Sequence, residues 1–303
     1  MRARGVLARA ACARVPMAPC AHRAVAMTPA KPDIRASYSV HDFEPSMTAA
    51  HLTAPDIDPS EVEYFESLAH RWWDDEGPFW PLHKLNAFRL DYVRDRLCAA
   101  FGRDPTAERP LAGLTVLDIG CGGGILSESV HALGAEVTGT EITEKNVRVA
   151  EIHAGWSGAD IDYRLITADD LAATGVTFDA VLNMEVVEHV EHLPDFLASC
   201  GRLVRPGGVM VVATINRTWA AWLSAIVGAE YVLGWLPKGT HHYRKLVKPR
   251  ELRDGLGSAF KVIHETGVRV NPFNRHFSFS GYKGINYMMV FQRAAAPASG
   301  AEV

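Results

Sequence analysis

The chain has 303 residues, of which 48% are hydrophobic and 22% are charged, a composition typical of a globular domain with a full apolar core. Its formal net charge is only -4, with 31 Lys and Arg against 35 Asp and Glu, so the global charge gives no support for a nucleic-acid partner. No stretch reaches the roughly 18 to 20 uninterrupted apolar residues of a membrane span. Five cysteines, scattered without metal-ligand spacing, favour a reducing compartment.

The N-terminal segment differs in composition from the rest of the chain. Its first 32 residues are rich in Ala and Arg and contain no Asp or Glu, which is typical of a transit peptide. A disordered extension, or upstream sequence before a start at Met27 or Met47, fits equally well. We expect residues 1–47 to be a targeting segment or a disordered extension, and residues 294–303 to be a disordered tail.

Helical patterns follow this segment. Ser60 and Glu63 have the spacing of a capping box, which predicts that a helix begins there. A second helix is predicted over residues 85–101, before a polar, proline-containing connector. Residues 48–112 are therefore expected to form a helical cap on the domain that follows.

Strand patterns begin at residue 114. Apolar, β-branched runs alternate there with stretches long enough for crossover helices, which predicts an α/β fold with a parallel sheet across residues 113–293. The motif RPGG at residues 205–208 marks the turn into the fifth strand, and NYMMVFQRA is expected to be an edge strand that closes the sheet. The five earlier runs are LTVLDIG, AEVTGTE, IDYRLITA, FDAVLNM and VMVVATIN.

A glycine-rich loop follows the first predicted strand, in VLDIGCGGGIL. Glycines such as Gly120 and Gly122 let a ligand lie against bare backbone, although a tight turn would need them too. The sixth position from Gly120 is Ile125, so the pyrophosphate-binding pattern GxGxxG is not met. Glu141 ends the next strand, where a carboxylate can accept hydrogen bonds from both ribose hydroxyls. Together these features favour a nucleoside without a pyrophosphate.

Several blocks of the chain, in order, resemble the ubiquinone biosynthesis O-methyltransferase family, which belongs to the class I S-adenosylmethionine-dependent methyltransferases. The resemblance implies a Rossmann-like α/β fold, with a mostly parallel seven-stranded sheet, helices on both faces and an antiparallel last strand. It also implies methyl transfer from S-adenosylmethionine to a hydroxyl of polyprenylated catechol and demethylubiquinol intermediates, at both O-methylation steps of ubiquinone synthesis. The blocks span about residues 59–292 and read RWWDDEGPFWPLHKLNAFRL, VLDIGCGGGILSE, NMEVVEHV, LVRPGG, VGAEYVLGWLPKGTHHY and NYM.

The resemblance also implies where the cofactor lies. Arg89 would hold the methionine carboxylate through its planar guanidinium, and Gly120 would allow close backbone approach. Glu141 would bind the ribose, although the family often has Asp there, and Met184 would offer an apolar surface near the adenine. Asp169, after the third strand, is expected either to accept the adenine amino group or to cap a helix.

The segment MEVVEH at residues 184–189 carries two carboxylates and an imidazole after the fourth strand. If the segment is helical, Glu185, Glu188 and His189 occupy positions i, i+3 and i+4 and share one face. The resemblance implies that they bind a divalent cation, usually Mg²⁺, which would lower the pKa of the attacked phenol. The imidazole is less typical of a magnesium site and leaves manganese or zinc open. A solvated helix start is the alternative structural interpretation, and His189 as a metal-free general base is the alternative mechanism.

Residues 218–248 combine three Trp with many aliphatic residues and then turn basic. This pattern predicts a lid that lies on an anionic membrane surface and admits a lipid tail, although an ordinary crossover helix explains much of it. We therefore expect a peripheral membrane enzyme, with other ubiquinone-biosynthesis proteins as potential partners. Its place would be the cytoplasmic face of the inner membrane in a bacterium, or the matrix side in a mitochondrion.

Three other functions share parts of these patterns. Another class I small-molecule methyltransferase would have the same cofactor motifs. A nicotinamide-dependent oxidoreductase would share the strand, the glycine loop and the ribose-binding acid, but it should show the missing third glycine. A non-catalytic binding module could retain the fold, since fold alone does not establish activity.

Overall fold

The computed structural model describes residues 71–77, 79–223, 243–271 and 273–295. The predicted helix start at Ser60 and the segment 1–47 lie outside the described residues, as do residues 296–303 of the tail. Residues 224–242 of the expected lid lie outside them as well. These expectations stay predictions.

The described residues contain one eight-stranded sheet, in the order β3-β2-β1-β4-β5-β8-β6-β7. Strands β1 to β5 pair in parallel, and β8 pairs antiparallel with both β5 and β6. The predicted class I α/β fold with an antiparallel last strand is therefore confirmed, with eight strands in the described residues in place of seven. The strands are β1 (Thr115–Ile119), β2 (Glu136–Glu141), β3 (Asp162–Leu165), β4 (Phe178–Met184), β5 (Val204–Ile215), β6 (Phe260–Asn271), β7 (His276–Ser280) and β8 (Asn286–Arg293).

The last strand does not close the sheet. β8 lies between β5 and β6, so the prediction of an edge strand at NYMMVFQRA was wrong. Its residues Tyr287 to Phe291 are all buried, as expected of an interior strand that is covered on both faces. The two edge strands of the described sheet are β3 and β7, and β7 pairs with β6 in a hairpin. The RPGG motif lies inside β5, where the register shifts opposite Phe178 and Ala180.

Helices cover both faces of the sheet, as predicted. Side chains of adjacent strand residues point to opposite faces, so Val116 joins an apolar cluster with helix α1 while Leu117 joins one with helix α5. None of the helices in the described part of the chain has the length and hydropathy needed to cross a membrane. The helices are α1 (Trp80–Phe101), α2 (Ile125–Ala132), α3 (Glu144–Ser157), α4 (Ala168–Ala173), α5 (Leu193–Leu203) and α6 (Pro249–Leu256), with a single helical turn at Trp219–Ala221.

Helix α1 begins five residues before the predicted start at residue 85. A proline in its first turn favours this start, because the proline ring fixes a helical φ and the missing N–H has no partner there in any helix. The helix ends at Gly102, which adopts the left-handed conformation. Its buried face carries Leu85, Arg89 and Tyr92 against the sheet, which brings one cation into an otherwise apolar contact.

Candidate active site

The glycine-rich loop joins β1 to α2 at the carboxyl edge of the sheet, where ligands bind in α/β folds. Gly120 and Gly122 have φ values of 66° and 55°, in the left-handed region that favours glycine. A Cβ at Gly120 would lie 2.6 Å from Cγ2 of Val186, in the turn after β4. The backbone amides of Gly120 and Cys121 both donate to the carbonyl of Thr140 on β2, at 2.8 and 3.0 Å. The loop is thus fixed against both neighbouring strands.

Glu141 lies at the end of β2, beside this loop, and is buried. Its Oε2 accepts a hydrogen bond from the Gly122 amide at 3.0 Å, and its Oε1 accepts from the amides of Ile142 and Thr143 at 2.8 and 3.1 Å. Burial raises the pKa of the carboxyl, and the three backbone donors together with Asn146 oppose that rise. Such donors favour the ionised form and fix its direction, so the predicted ribose-binding acid is held in place.

A short segment that precedes α1 lies against the loop. We call residues 71–77 and Phe79 the tryptophan strap. The ring of Trp72 covers the backbone of Gly122 and Gly123, where an added Cβ would approach it to 2.5 Å. Trp73 donates from Nε1 to the Gly123 carbonyl at 2.8 Å and stacks on His153 with ring centroids 3.3 Å apart. The glycines therefore accommodate protein side chains, besides any ligand.

Arg89 is buried in α1, and its Nε and Nη1 atoms have no hydrogen-bond partner within the described structure. Burial lowers the pKa of the guanidinium, while the charges of Glu185 and Asp118 oppose that change. These two carboxylates compensate part of the charge, but the buried Nε and Nη1 donors still lack acceptors, which costs free energy. The guanidinium can therefore donate hydrogen bonds to an anion from outside the chain.

A small cleft connects Arg89 with the ends of three strands. Glu185 enters it after β4, and Asn286 enters it from the start of β8. The Oδ1 atom of Asn286 is buried without a hydrogen-bond donor in the described residues. Apolar side chains complete the walls of this small cleft. These wall residues are Leu85, Ala213, Val268, Tyr287 and Met288.

The segment after β4 is a turn, so the expected helical spacing of its three ligands was wrong. Glu185 adopts a left-handed φ of 60°, and the amide of His189 donates to the carbonyl of Val186 at 2.8 Å. Glu188 is buried and accepts a hydrogen bond from the Thr214 hydroxyl at 2.8 Å. Among the residues that the structure describes, no group of three His, Cys, Asp or Glu could hold a metal ion. The arrangement of Glu185, Glu188 and His189 therefore does not fit the expected divalent cation.

Asp169 lies in the first turn of α4, the helix that follows β3 in the chain. Its Oδ1 accepts hydrogen bonds from Ser199 and Arg202 of α5, each at 2.8 Å. The N-cap of the helix is Thr167, whose hydroxyl accepts from the Asp170 amide at 3.0 Å. Asp169 is therefore not the helix cap, and its expected contact with adenine stays a prediction.

The sequence of this chain is similar to those of known proteins. Residues 117–212 match a family model described as a methyltransferase domain. A ubiquinone biosynthesis O-methyltransferase of Mesorhizobium japonicum is 53% identical over 240 residues, which cover 79% of this chain and 96% of that protein. One of the same name from Bartonella bacilliformis is 48% identical, over 80% of this chain and 98% of that protein.

The chain belongs to the ubiquinone biosynthesis O-methyltransferase family. It is accordingly an S-adenosylmethionine-dependent methyltransferase, as its sequence predicted. The enzyme shares its fold with magnesium protoporphyrin IX methyltransferase of Synechocystis PCC 6803, solved with bound SAH. That structure is 22% identical, with a TM-score of 0.55 over 78% of this chain and all of that one.

Six of the site residues predicted for this enzyme fall into two groups. Glu141 and Met184 end β2 and β4, on either side of β1, so they share the edge of the sheet with Gly120 and Gly122. Arg89 and Glu185 line the cleft. Sequence reasoning missed four residues, of which only the acid inside VLDIG carried a local signal. They are Trp72, Asp118, Asn146 and Asn286.

The raised pKa of the buried Asp118 carboxyl can be tested through the pH dependence of stability. Its Oδ2 accepts a hydrogen bond from the Ser127 hydroxyl at 2.7 Å, and burial raises its pKa to about 6. The folded state therefore binds more protons than the unfolded state between about pH 4 and 6, so ionisation of Asp118 destabilises the fold as the pH rises through that range. Relative to Asp118→Asn, the unfolding free energy of the wild type should fall by about 2 to 3 kcal/mol across it. Urea denaturation of both proteins measures this, and a constant difference would contradict the raised pKa.

Proposed function

We propose that the enzyme methylates a hydroxyl of polyprenylated catechol intermediates, at both O-methylation steps of ubiquinone biosynthesis. The substrate is supported by the relatives, which are named ubiquinone biosynthesis O-methyltransferases. The cofactor is supported by the buried guanidinium of Arg89, whose Nε and Nη1 atoms have no partner in the described chain. The carboxylate of the methionine moiety of S-adenosylmethionine would supply the missing acceptors. Glu141 would bind the ribose beside the loop, and Met184 would lie toward the adenine.

The same cleft offers groups for the phenol. Glu185 can accept the phenolic proton while the phenol oxygen attacks the methyl carbon of the sulfonium. One carbon–oxygen bond then forms, one carbon–sulfur bond breaks, and S-adenosylhomocysteine leaves. Asn286 can accept a hydrogen bond from the second hydroxyl of a catechol through its buried Oδ1. His189 remains the alternative base.

The test is methyl transfer from labelled S-adenosylmethionine to a catechol with a polyprenyl tail. We expect transfer to one hydroxyl, and equal or better transfer to the demethylubiquinol of the second step. Methylation of small catechols without any prenylated product would favour another small-molecule methyltransferase. Running the assay in EDTA and in Mg²⁺ tests the cation separately, since a Mg²⁺ requirement would mean that Glu185, Glu188 and His189 leave the arrangement described above.

The membrane-facing lid of residues 218–248 is part of the same proposal, because a long lipid tail must reach the cleft from a bilayer. Trp219 is 77% exposed and Leu223 is 61% exposed, at the point where the lid begins. Trp219 and Trp222 pack edge to face, with ring centroids 5.6 Å apart. Exposed aromatic side chains beside basic ones suit the interface of an anionic membrane. The proposal includes its location, which would be the cytoplasmic face of the inner membrane in a bacterium or the matrix side in a mitochondrion.

Replacing both Trp219 and Trp222 with Ser should lower association with anionic liposomes by roughly 30-fold, since each apolar side chain contributes on the order of 1 kcal/mol at the interface. Turnover of a long-tailed catechol should slow, while a short-tailed catechol is methylated nearly normally. Flotation with liposomes and steady-state kinetics measure the two effects. Trp156→Ser is the matched control, because Trp156 is also exposed, at 44%, but lies on α3. Equal loss of both substrates would assign the two Trp to the protein core.

A further inference from the structure

An aromatic surface extends from one wall of the cleft. Leu85 of α1 and Val268 of β6 line the cleft and are buried. Phe88 lies three residues beyond Leu85 on α1, so the two side chains are neighbours on the helix surface. Phe279 of β7 pairs directly with Val268, and directly paired residues of antiparallel strands point to the same face of the sheet. Each of these two wall residues therefore has a phenylalanine beside it.

The rings of this surface meet between α1 and the hairpin of β6 and β7. The ring centroid of Phe88 lies 4.3 Å from that of Phe279 and 6.0 Å from that of Phe277. Phe277 pairs with Val270, two residues beyond Val268, and therefore lies on the same face of the sheet as Phe279. We call Phe88, Phe277 and Phe279 the aromatic track. Its three rings form one apolar strip that begins at the wall of the cleft.

The aromatic track reaches the surface of the protein. Phe279 is 44% exposed, whereas its partner Val268 is 5% exposed. The ring centroid of Tyr92 lies 5.4 Å from that of Phe279, and the Tyr92 hydroxyl is already hydrogen-bonded to Nδ1 of His264, 2.8 Å away. An apolar chain that leaves the cleft can therefore stay in contact with aromatic rings up to the surface.

We propose that the aromatic track binds the polyprenyl tail of the substrate. This rests on the proposed function, in which the catechol ring lies in the cleft and carries such a tail. Isoprene units contain only carbon and hydrogen, so the tail requires apolar contacts and no hydrogen-bond partners. It leaves the cleft beside Leu85 and Val268 and crosses the three rings, where it covers the exposed part of Phe279. The track then favours tailed catechols over catechols without a tail.

The experiment compares a catechol without a tail with a geranylated catechol, in buffer without lipid or detergent, so that membrane binding does not enter the comparison. The wild type should show the higher kcat/KM with the geranylated catechol. Phe279→Ser should lower that value by about three- to tenfold, because the variant loses apolar surface that the tail covers. Its kcat/KM for the tail-free catechol should change less, so the ratio of the two values falls. Phe279→Leu should retain most of the wild-type ratio.

Trp156→Ser is the matched control, since Trp156 is an aromatic residue of the same exposure, 44%, on α3. It should keep the wild-type ratio. Geraniol provides a second test on the wild type, where the folding of a variant is not in question. It carries a tail without a catechol ring, so it should inhibit methylation of the geranylated catechol more than that of the tail-free one. Equal losses for both catechols in Phe279→Ser, or equal inhibition of both by geraniol, would overturn the proposal.

Two further outcomes separate the track from its alternatives. A dimer that dissociates in Phe279→Ser while the ratio stays constant would assign this surface to a second copy of the chain and overturn the tail site. A wild-type enzyme that methylated neither catechol would contradict the proposed substrate. Calorimetric titration with geraniol would then still test the track, because the wild type should bind geraniol more tightly than Phe279→Ser does.

Discussion

Arg89→Met should weaken the binding of S-adenosylmethionine by about 2 to 4 kcal/mol, or roughly 30- to 1,000-fold, because it removes charge-assisted hydrogen bonds to the cofactor carboxylate. The stability of the free enzyme should not fall. The buried Nε and Nη1 atoms of Arg89 have no acceptor in the described chain, and a methionine of similar length fills the space without a charge. Calorimetric titration and thermal unfolding measure the two quantities.

The combination of the two results is what identifies Arg89 as a ligand-binding residue. Arg94→Met, on the same helix, is the control, since Arg94 forms surface ion pairs with Asp91 and Asp95. That variant should bind the cofactor as the wild type does. If Arg89→Met also retained affinity, or if it unfolded at a much lower temperature, Arg89 would be a structural residue and the carboxylate would bind elsewhere.

Glu185→Gln should lower kcat by roughly 10²- to 10⁴-fold, the usual contribution of a general base. Glu185→Gly should lose as much activity while becoming more stable, by about 1 kcal/mol, because glycine adopts the left-handed φ of 60° at this position without the steric cost of a side chain. Single-turnover methyl transfer and urea denaturation measure these effects. A variant that is inactive yet more stable cannot owe its loss of activity to misfolding.

Glu191→Gln serves as the control for this pair, since Glu191 is an exposed acid six residues further along. It should leave both quantities unchanged. Full activity in Glu185→Gln would place the proton acceptor elsewhere, and a parallel measurement on His189→Ala would then show whether the imidazole has that role.

The sheet could be predicted from the sequence because its signals are local. The runs that became β1 to β5 are apolar and β-branched, and each crossover is long enough for a helix. β8 was placed at an edge because a short apolar run carries no information about its neighbours. Only its pairing with both β5 and β6 shows that two strands flank it.

The error at residues 185–189 has a different physical cause. The spacing of Glu185, Glu188 and His189 puts their side chains on one face only if the segment is a helix. The chain instead bends at Glu185 and then forms a turn. Helix α5 begins later, at Leu193, with a proline in its first turn. Glu188 then packs toward Thr214 of β5, a contact that depends on the pairing of β4 with β5. No local pattern encodes that pairing.

The interior position of β8 has a consequence for synthesis of the protein. The ribosome completes β5 and β6 before it makes the strand that separates them, so a nascent chain that ends before Asn286 cannot join these two halves of the sheet. Both strands then present unpaired backbone edges, which are templates for aggregation. Because Asn286, Tyr287 and Met288 also form one wall of the cleft, premature termination removes both this wall and the strand that joins β5 to β6. The nascent enzyme should therefore need chaperone protection until its last strand has emerged.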